Sequence, residues 1–300
     1  MDNSDKKLKN RIKFASSANL EFEKLFLSVS LEQQIQHCDN YELVWLFRKW
    51  LPDHQPILEA GCGSGRWIVW FNRQGWQAAG LDWSSLLQDR AIKTYPGIRF
   101  DTGDMRNMPY RDCQFGSLIS LGAVEHSMEG PVKSLIEFHR VLKNNSVAII
   151  TVPFLGPIRK ISRFLASPVK LLKQISHIRK IFHKPTGKQS YQEAKQGILS
   201  HYSADFVMSN DGWTFFQYHF SKKQMRAFIS ETNFKILDEF VEFPDEGILH
   251  NFGKIAGKYN YEQGKVSFTW IGRMLRIIIP NQITGNMLCY VLRKSDDKSD

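Results

Sequence analysis

Apolar positions along this chain recur with two alternating periods, and the places where the period switches mark out an order of elements. Over 31–51, Ile35, Leu43, Val44, Leu46, Phe47 and Trp50 fall at spacings of three and four, which predicts one helix closed by Pro52 and Pro56. Ile57-Leu58-Glu59-Ala60 predicts a short buried strand, and the glycines at 61, 63 and 65 lead into a helix over 66–73. Further strands are predicted over 77–81, 98–100, 115–121 and 147–152, with helices over 84–93, capped by Ser84 or Ser85, and 132–142, ended by Asn144-Asn145. The alternation breaks at Pro153 and resumes with a helix over 221–231, N-capped by Ser221, a strand over 234–241 and a last strand over 287–292. Strands alternating with helices on short connections imply an α/β fold, a mostly parallel sheet covered on both faces. Residues 1 to about 20 read as a polar tail.

With 300 residues, 42% hydrophobic and 23% charged, the chain is long and apolar enough to bury a large core, which excludes wholesale disorder. Cys38, Cys62, Cys113 and Cys289 are scattered without a C-x-x-C pair, against a disulfide framework or zinc module and in keeping with a reducing compartment. The first residues lack a signal-peptide apolar stretch and no run approaches ~20 apolar residues, so a cytoplasmic protein is expected. The net charge of +10 is concentrated: 154–200 holds ten basic residues against Glu193 alone. Within it Ile158, Ile161, Leu165, Leu172, Ile175, Ile178 and Phe182 fall at helical spacing on either side of Pro168. Three readings of this insertion stand: a lid packing its apolar stripe on the core, a peripheral contact with an anionic membrane through 154–184, or a nucleic-acid surface. The last is disfavoured because aromatics are not interleaved for stacking.

The chemistry concentrates at ILEAGCGSG, 57–65. Glycines between a strand and a helix let the backbone turn sharply beneath a ligand, and the helix start offers unpaired amides. Asp82, 21 residues beyond Gly61, ends the second strand, where a carboxylate can accept both hydroxyls of a ribose. A dinucleotide fingerprint would need its third glycine at 66, which is Arg66, and Glu59 would repel a pyrophosphate but suits an ammonium. The segment E-x-G-x-G-x-G therefore resembles the first motif of class I S-adenosylmethionine-dependent methyltransferases.

Four further segments resemble that family in order: GLDWS (80–84), GDMRNMPY (103–110), FGSLISLGAVEH (115–126) and FHRVLKNNSVAIITVP (138–153). FQYHFSKKQMRAFISETNFKILDEF (216–240) is similar to the family's later helix and sixth strand, so the likeness covers about 53–153 and 213–293. The resemblance implies a Rossmann-like seven-stranded sheet ordered 3-2-1-4-5-7-6 and S-adenosyl-L-methionine as cofactor. It sets the methionine end over Glu59, Gly61, Gly63 and Gly65 and the ribose on Asp82. Trp83, Asp104 and Met105 would bound the adenine, and Ser120 or Leu121 would line the pocket. It also implies a division into a tail and helical cap (1–52), a core (53–153 and 205–300) and a basic helical insertion (154–204).

Methyl transfer requires an aligned acceptor and sometimes a base. His126 and Glu125, after the fourth strand, are the catalytic candidates, with Tyr218 and His219 as candidate walls of an acceptor pocket in the aromatic run 201–220. The stretch also resembles the E-x-x-E-H of quinone-biosynthesis O-methyltransferases, proposed to bind a divalent ion; Gly122 replaces its first acid, so no metal is expected. The expected acceptor is a small or lipid-linked molecule. An RNA methyltransferase and a non-catalytic cofactor-binding scaffold are the rival readings.

Overall fold

The strand Ile57–Ala60 (β1) is buried along its whole length because its neighbours lie in the same plane on both sides and helices cover both faces. The computed structural model describes residues 23, 26–161, 199, 202–209, 212–260 and 263–295. Along them run helices Leu31–Gln36 (α1), Val44–Trp50 (α2), Arg66–Arg73 (α3) and Ser85–Thr94 (α4), with strands Ala78–Asp82 (β2) and Arg99–Thr102 (β3). Strand Phe115–Leu121 (β4), helix Val132–Val141 (α5) and strand Leu142–Pro153 (β5) complete the first half. Beyond it come strands Ser203–Ser209 (β6) and Gly212–His219 (β7), helix Lys222–Ser230 (α6) and strand Phe234–Glu242 (β8). Helix Pro244–Phe252 (α7), strands Gly257–Asn260 (β9) and Lys265–Phe268 (β10), helix Trp270–Ile278 (α8) and strand Met287–Lys294 (β11) close the order.

The main sheet has seven strands ordered β3-β2-β1-β4-β5-β11-β8. Counting only its own members, this is the 3-2-1-4-5-7-6 order, with β11 antiparallel to both β5 and β8. Alternating side chains enter two separate cores. Leu58, Leu118, Ile150, Leu288 and Tyr290 face α5 and α6 on one side. Ile57, Ile119, Ile149, Cys289 and Val291 face α1, α2 and α3 on the other. The second core is aromatic: Phe47 of α2 meets Trp67 edge-on at 5.1 Å and Phe71 at 5.2 Å, both on α3.

Two expectations need correction. The helix predicted over 31–51 is broken by a 3-10 turn, Cys38–Asn40, because Asp39 turns to accept a hydrogen bond from Trp70 Nε1 at 2.8 Å. Asn144-Asn145 does not end a helix but lies inside β5, with Asn145 in the left-handed region (φ 61°) beside a shift in the β4–β5 register. The run after the insertion is an antiparallel ribbon, β6–β7, apart from the main sheet. The predicted amphipathic pair of the insertion lies, from 162 to 198, outside the described residues, as do residues 1–22 and His201.

The ribbon is carried over the carboxyl ends of the parallel strands: Phe220 N–H donates to Pro153 O at 2.9 Å and Leu155 N–H to Phe220 O at 2.8 Å. Because β8 and β11 are antiparallel, the α7–α8 segment between them springs from that same edge. Phe47 joins the first two helices to α3, so Phe47→Ala should cost ~3–5 kcal/mol of unfolding free energy and Phe47→Leu under about 1.5, measured by urea denaturation.

Candidate active site

The turn after β1 is fixed by the end of β2. Gly61 and Cys62 N–H both donate to Leu81 O, at 2.7 and 3.1 Å, and Gly63 N–H donates to Asp82 Oδ2 at 2.8 Å. Gly61 sits at φ 80°, where a Cβ would collide with the Ala123 methyl, and Gly65 at φ 79°, where it would strike the Phe100 ring. These glycines are therefore required by conformation and by space together.

Within this turn lie two buried carboxylates. Glu59 Oε2, on β1, has no hydrogen-bond partner among the described residues, and burial pushes its carboxyl well above the usual range, Asp82 adding to the effect and Arg66 opposing it. An unpaired carboxylate in such a place is costly unless a donor arrives from outside the protein. Asp82 accepts from Gly63 N–H and from Ser84 N–H (2.9 Å to Oδ1); burial raises its pKa, and those same hydrogen bonds oppose the rise. Each oxygen keeps further lone-pair capacity for a diol.

Trp83, next to Asp82, is exposed and available for stacking. Met105 lies close to Gly61, its Cε 3.0 Å from where a Cβ would stand. Asp104 is drawn into a bidentate pair with Arg106, at 2.7 and 3.0 Å, which outweighs its burial and lowers its pKa. Leu121 ends β4, half-buried, while Ser120 is fully buried and donates to Ala60 O at 2.9 Å.

A part of this site that the sequence analysis missed is a strap, Glu23 and 26–29. Glu23 accepts from Ser84 Oγ at 2.5 Å, and the Phe26 ring lies 3.2 Å from the Cβ position of Gly63. Gln34 Nε2 holds the strap through Phe26 O and Val29 O at 3.0 and 3.1 Å, while Gln34 Oε1 accepts from Ser64 Oγ at 2.6 Å. The apolar residues Leu20, Phe22, Leu25, Phe26, Leu27 and Val29 could have signalled it, since they follow the polar tail.

On the acceptor side, Val124–His126 form a 3-10 turn after β4. His126 Nδ1 lies 2.7 Å from Phe216 O of β7; a carbonyl only accepts, so Nδ1 carries a proton and Nε2 is the basic nitrogen of the neutral ring. Burial lowers the pKa of His126, against the pull of the Phe216 and Gly122 carbonyls. Glu125 is buried, its Oε2 has no hydrogen-bond partner among the described residues, and burial pushes its pKa up to about 8. Its Oε1 stands 4.0 Å from His126 Nε2.

Tyr218 and His219, expected as walls of an acceptor pocket, are both buried and hydrogen-bonded within the protein. Tyr218 is fully buried, its hydroxyl donating to Met128 O at 2.8 Å and accepting from Leu199 N–H at 3.1 Å. The buried His219 ring accepts from Arg159 Nη1 at Nδ1, 2.6 Å, because a guanidinium only donates; its Nε2–H then donates to Asp205 Oδ2, also at 2.6 Å. Both side chains clamp the ribbon to the rest of the fold.

With this geometry in view, a family model described as a methyltransferase domain matches residues 58–150. Residues 58–150 therefore carry a methyltransferase domain. A SAM-dependent methyltransferase from Methanosarcina mazei has the same fold, with TM-score 0.55, 14% identity, and coverage of 86% of this chain and 100% of that one. The chain is 25% identical over 187 residues to the dTDP-4-amino-2,3,4,6-tetradeoxy-D-glucose N,N-dimethyltransferase of Saccharopolyspora spinosa, covering 55% of this chain and 72% of that one. It is 32% identical over 107 residues to the demethylmenaquinone methyltransferase of Chlorobaculum parvum, covering 35% and 44% respectively. The methyltransferase takes S-adenosylmethionine as cofactor, and the donor-seeking Glu59 and the diol-competent Asp82 are chemically suited to its ammonium and ribose. Among the described residues no cluster of three or more His, Cys, Asp or Glu could hold a metal ion, and no helix is long and apolar enough to cross a membrane.

The Glu125 pKa has a measurable consequence. In the unfolded chain this carboxyl ionises near 4.5, in the folded protein near about 8, so between those values unfolding releases a proton and stability falls as pH rises. Glu125→Gln should remove that dependence, and the cofactor-free variant should gain ~3–5 kcal/mol over the parent between pH 4.5 and 8 in urea titrations. A constant difference across the range would mean that Glu125 is ionised in place.

Proposed function

We propose that the methyltransferase acts on a small-molecule acceptor, held between the β6–β7 ribbon and the carboxyl ends of β4 and β5. The observation that carries this reading is the buried Glu59 Oε2 without a protein donor, one turn from Asp82. Glu59 would take the cofactor's ammonium and Asp82 its ribose hydroxyls. The amides of the 61–65 turn would stay locked by their own hydrogen bonds, and Trp83 and Met105 would bound the base. Asp104, tied to Arg106, would act through that pair as an edge of the adenine pocket. When bound, the cofactor supplies a sulfonium-activated methyl group.

His126 is assigned as the base. Its Nδ1–H is committed to Phe216 O, so in the neutral ring Nε2 would be the nitrogen that takes a proton from an acceptor hydroxyl or ammonium. Glu125, protonated below about pH 8, would place no negative charge beside the ring to hold it as an imidazolium, so His126 would rest in its neutral, basic form at neutral pH. The relatives named above act on a nucleotide-linked amino sugar and on a demethylated quinone, by their names, and these two acceptor classes, one polar and one lipid-soluble, are the probes to use.

Methyl transfer from labelled S-adenosylmethionine to a demethylated quinol, to a nucleotide-linked amino sugar, and to bulk RNA should give product with a small molecule and not with RNA. Label in RNA alone would overturn the reading. His126→Ala should lower kcat by ~100-fold or more with the cofactor Kd changed less than about threefold. Glu59→Gln should instead weaken cofactor binding ~10- to 100-fold in calorimetric titration. Cofactor affinity left intact by Glu59→Gln would show that the ammonium is held elsewhere.

A further inference from the structure

Helix α8 displays more apolar surface than a helix that merely covers a sheet. Its inward side carries the half-buried Ile271 and Leu275, Gly272, packed so closely on Ala256 that a Cβ would strike the Ala256 carbonyl, and Arg276, which donates to Asp245 Oδ1 at 2.5 Å and to Asn281 Oδ1 at 2.7 Å. Its outward side is apolar: Trp270 is 75% exposed, Met274 50%, Ile277 81% and Ile278 65%. At 100° per residue these four fall within one arc, and Ile255, also exposed, lies in the 3-10 turn before β9. Folding alone gives no reason to display such a stripe, since amphipathic helices bury their apolar side.

The charge around the stripe is of one sign. Lys254, Lys258, Lys265 and Arg273 are all exposed, and none is in an ion pair among the described residues. The sequence from 253 to 283 holds Glu262 as its single acid. A second copy of this chain would cover the apolar residues but would bring two sets of four cations together, which opposes it. An anionic bilayer satisfies both features, with apolar side chains entering the acyl boundary, the Trp270 ring at the headgroup level and the cations on the phosphates.

We infer that α8 and its flanking lysines form a membrane-docking face that sets the methyltransferase on anionic lipid. The segment joins β8 to β11 and so springs from the carboxyl edge of the sheet, the edge that holds the candidate site. If the acceptor is the lipid-soluble class considered above, a point that rests on the proposed function, it would reach the site without crossing water. The docking itself stands on the exposed stripe and its charge.

Sedimentation of the full-length protein with phosphatidylcholine vesicles, with and without about 30% phosphatidylglycerol, tests this. Binding should be at least about tenfold tighter to the anionic vesicles and should weaken with salt. Met274→Glu/Ile277→Glu should reduce it at least about tenfold, and Lys254→Gln/Arg273→Gln about threefold or more, with unchanged melting because these side chains are exposed. Three results would overturn the inference: no vesicle binding by the parent, binding untouched by the stripe variant because the 154–200 cations carry it, or a stripe variant that only converts a dimer to a monomer in light scattering. Cofactor affinity of the stripe variant, measured alongside, should equal the parent's. Its loss would count against the site and not against the docking face.

Discussion

The carboxylate of Asp82 holding the Gly63 amide at 2.8 Å is the constraint on which the rest of this molecule depends. Two parallel strands end side by side there, and the chain leaving the first must reverse within a few residues without covering the ligand position. Positive φ at Gly61 and Gly65 makes that reversal possible, and the Leu81 carbonyl with the Asp82 carboxylate pins it from the neighbouring strand. Under the proposed function the same side chain would carry two duties, bracing the turn and taking the ribose. A carboxylate accepts more than one hydrogen bond per oxygen, so the duties do not compete.

Both sides of the site bury a carboxyl, and desolvation is the main influence on each: Glu59 at the end of β1, where Arg66 opposes the rise, and Glu125 after β4. Under the proposed function the first would meet a cation brought in from outside, and the second would stay neutral around pH 7 beside an imidazole. The β6–β7 ribbon completes the second side by offering the Phe216 carbonyl that fixes the tautomer of His126, and Arg159, His219 and Asp205 hold that ribbon in place. The tautomer of His126 therefore depends on a piece of chain that lies outside the matched methyltransferase domain.

Much of this was legible in the sequence where the signal is local. The bounds of β1, α3 and β4 follow from apolar runs between glycines and polar turns, and the Ser84 and Ser221 caps from side chains that reach the backbone three residues on. The break at Asp39 was not legible, because the bond that makes it comes from Trp70 on another helix. Tyr218 and His219 were recognisable as special but not in their use, since only the fold reveals Met128 O, Arg159 and Asp205 as their partners. The ribbon has a local signal: Asp211-Gly212 between two stretches rich in aromatic and other apolar residues, 204–208 and 213–219, is the pattern of a hairpin. The strap over Gly63 has a partial one: the apolar stretch 20–29 marks a segment that packs, but nothing in it names Ser84 and the glycine turn as the partners of Glu23 and Phe26.

The central claim is that one S-adenosylmethionine lies across the ends of β1 and β2. A crystal structure of the protein with S-adenosylhomocysteine tests it most directly. The account predicts the ligand's ammonium within hydrogen-bond distance of Glu59, its ribose hydroxyls on Asp82 and its base beside Trp83 and Met105. A ligand bound with Glu59 still unpaired, or seated away from the glycine turn, would contradict it.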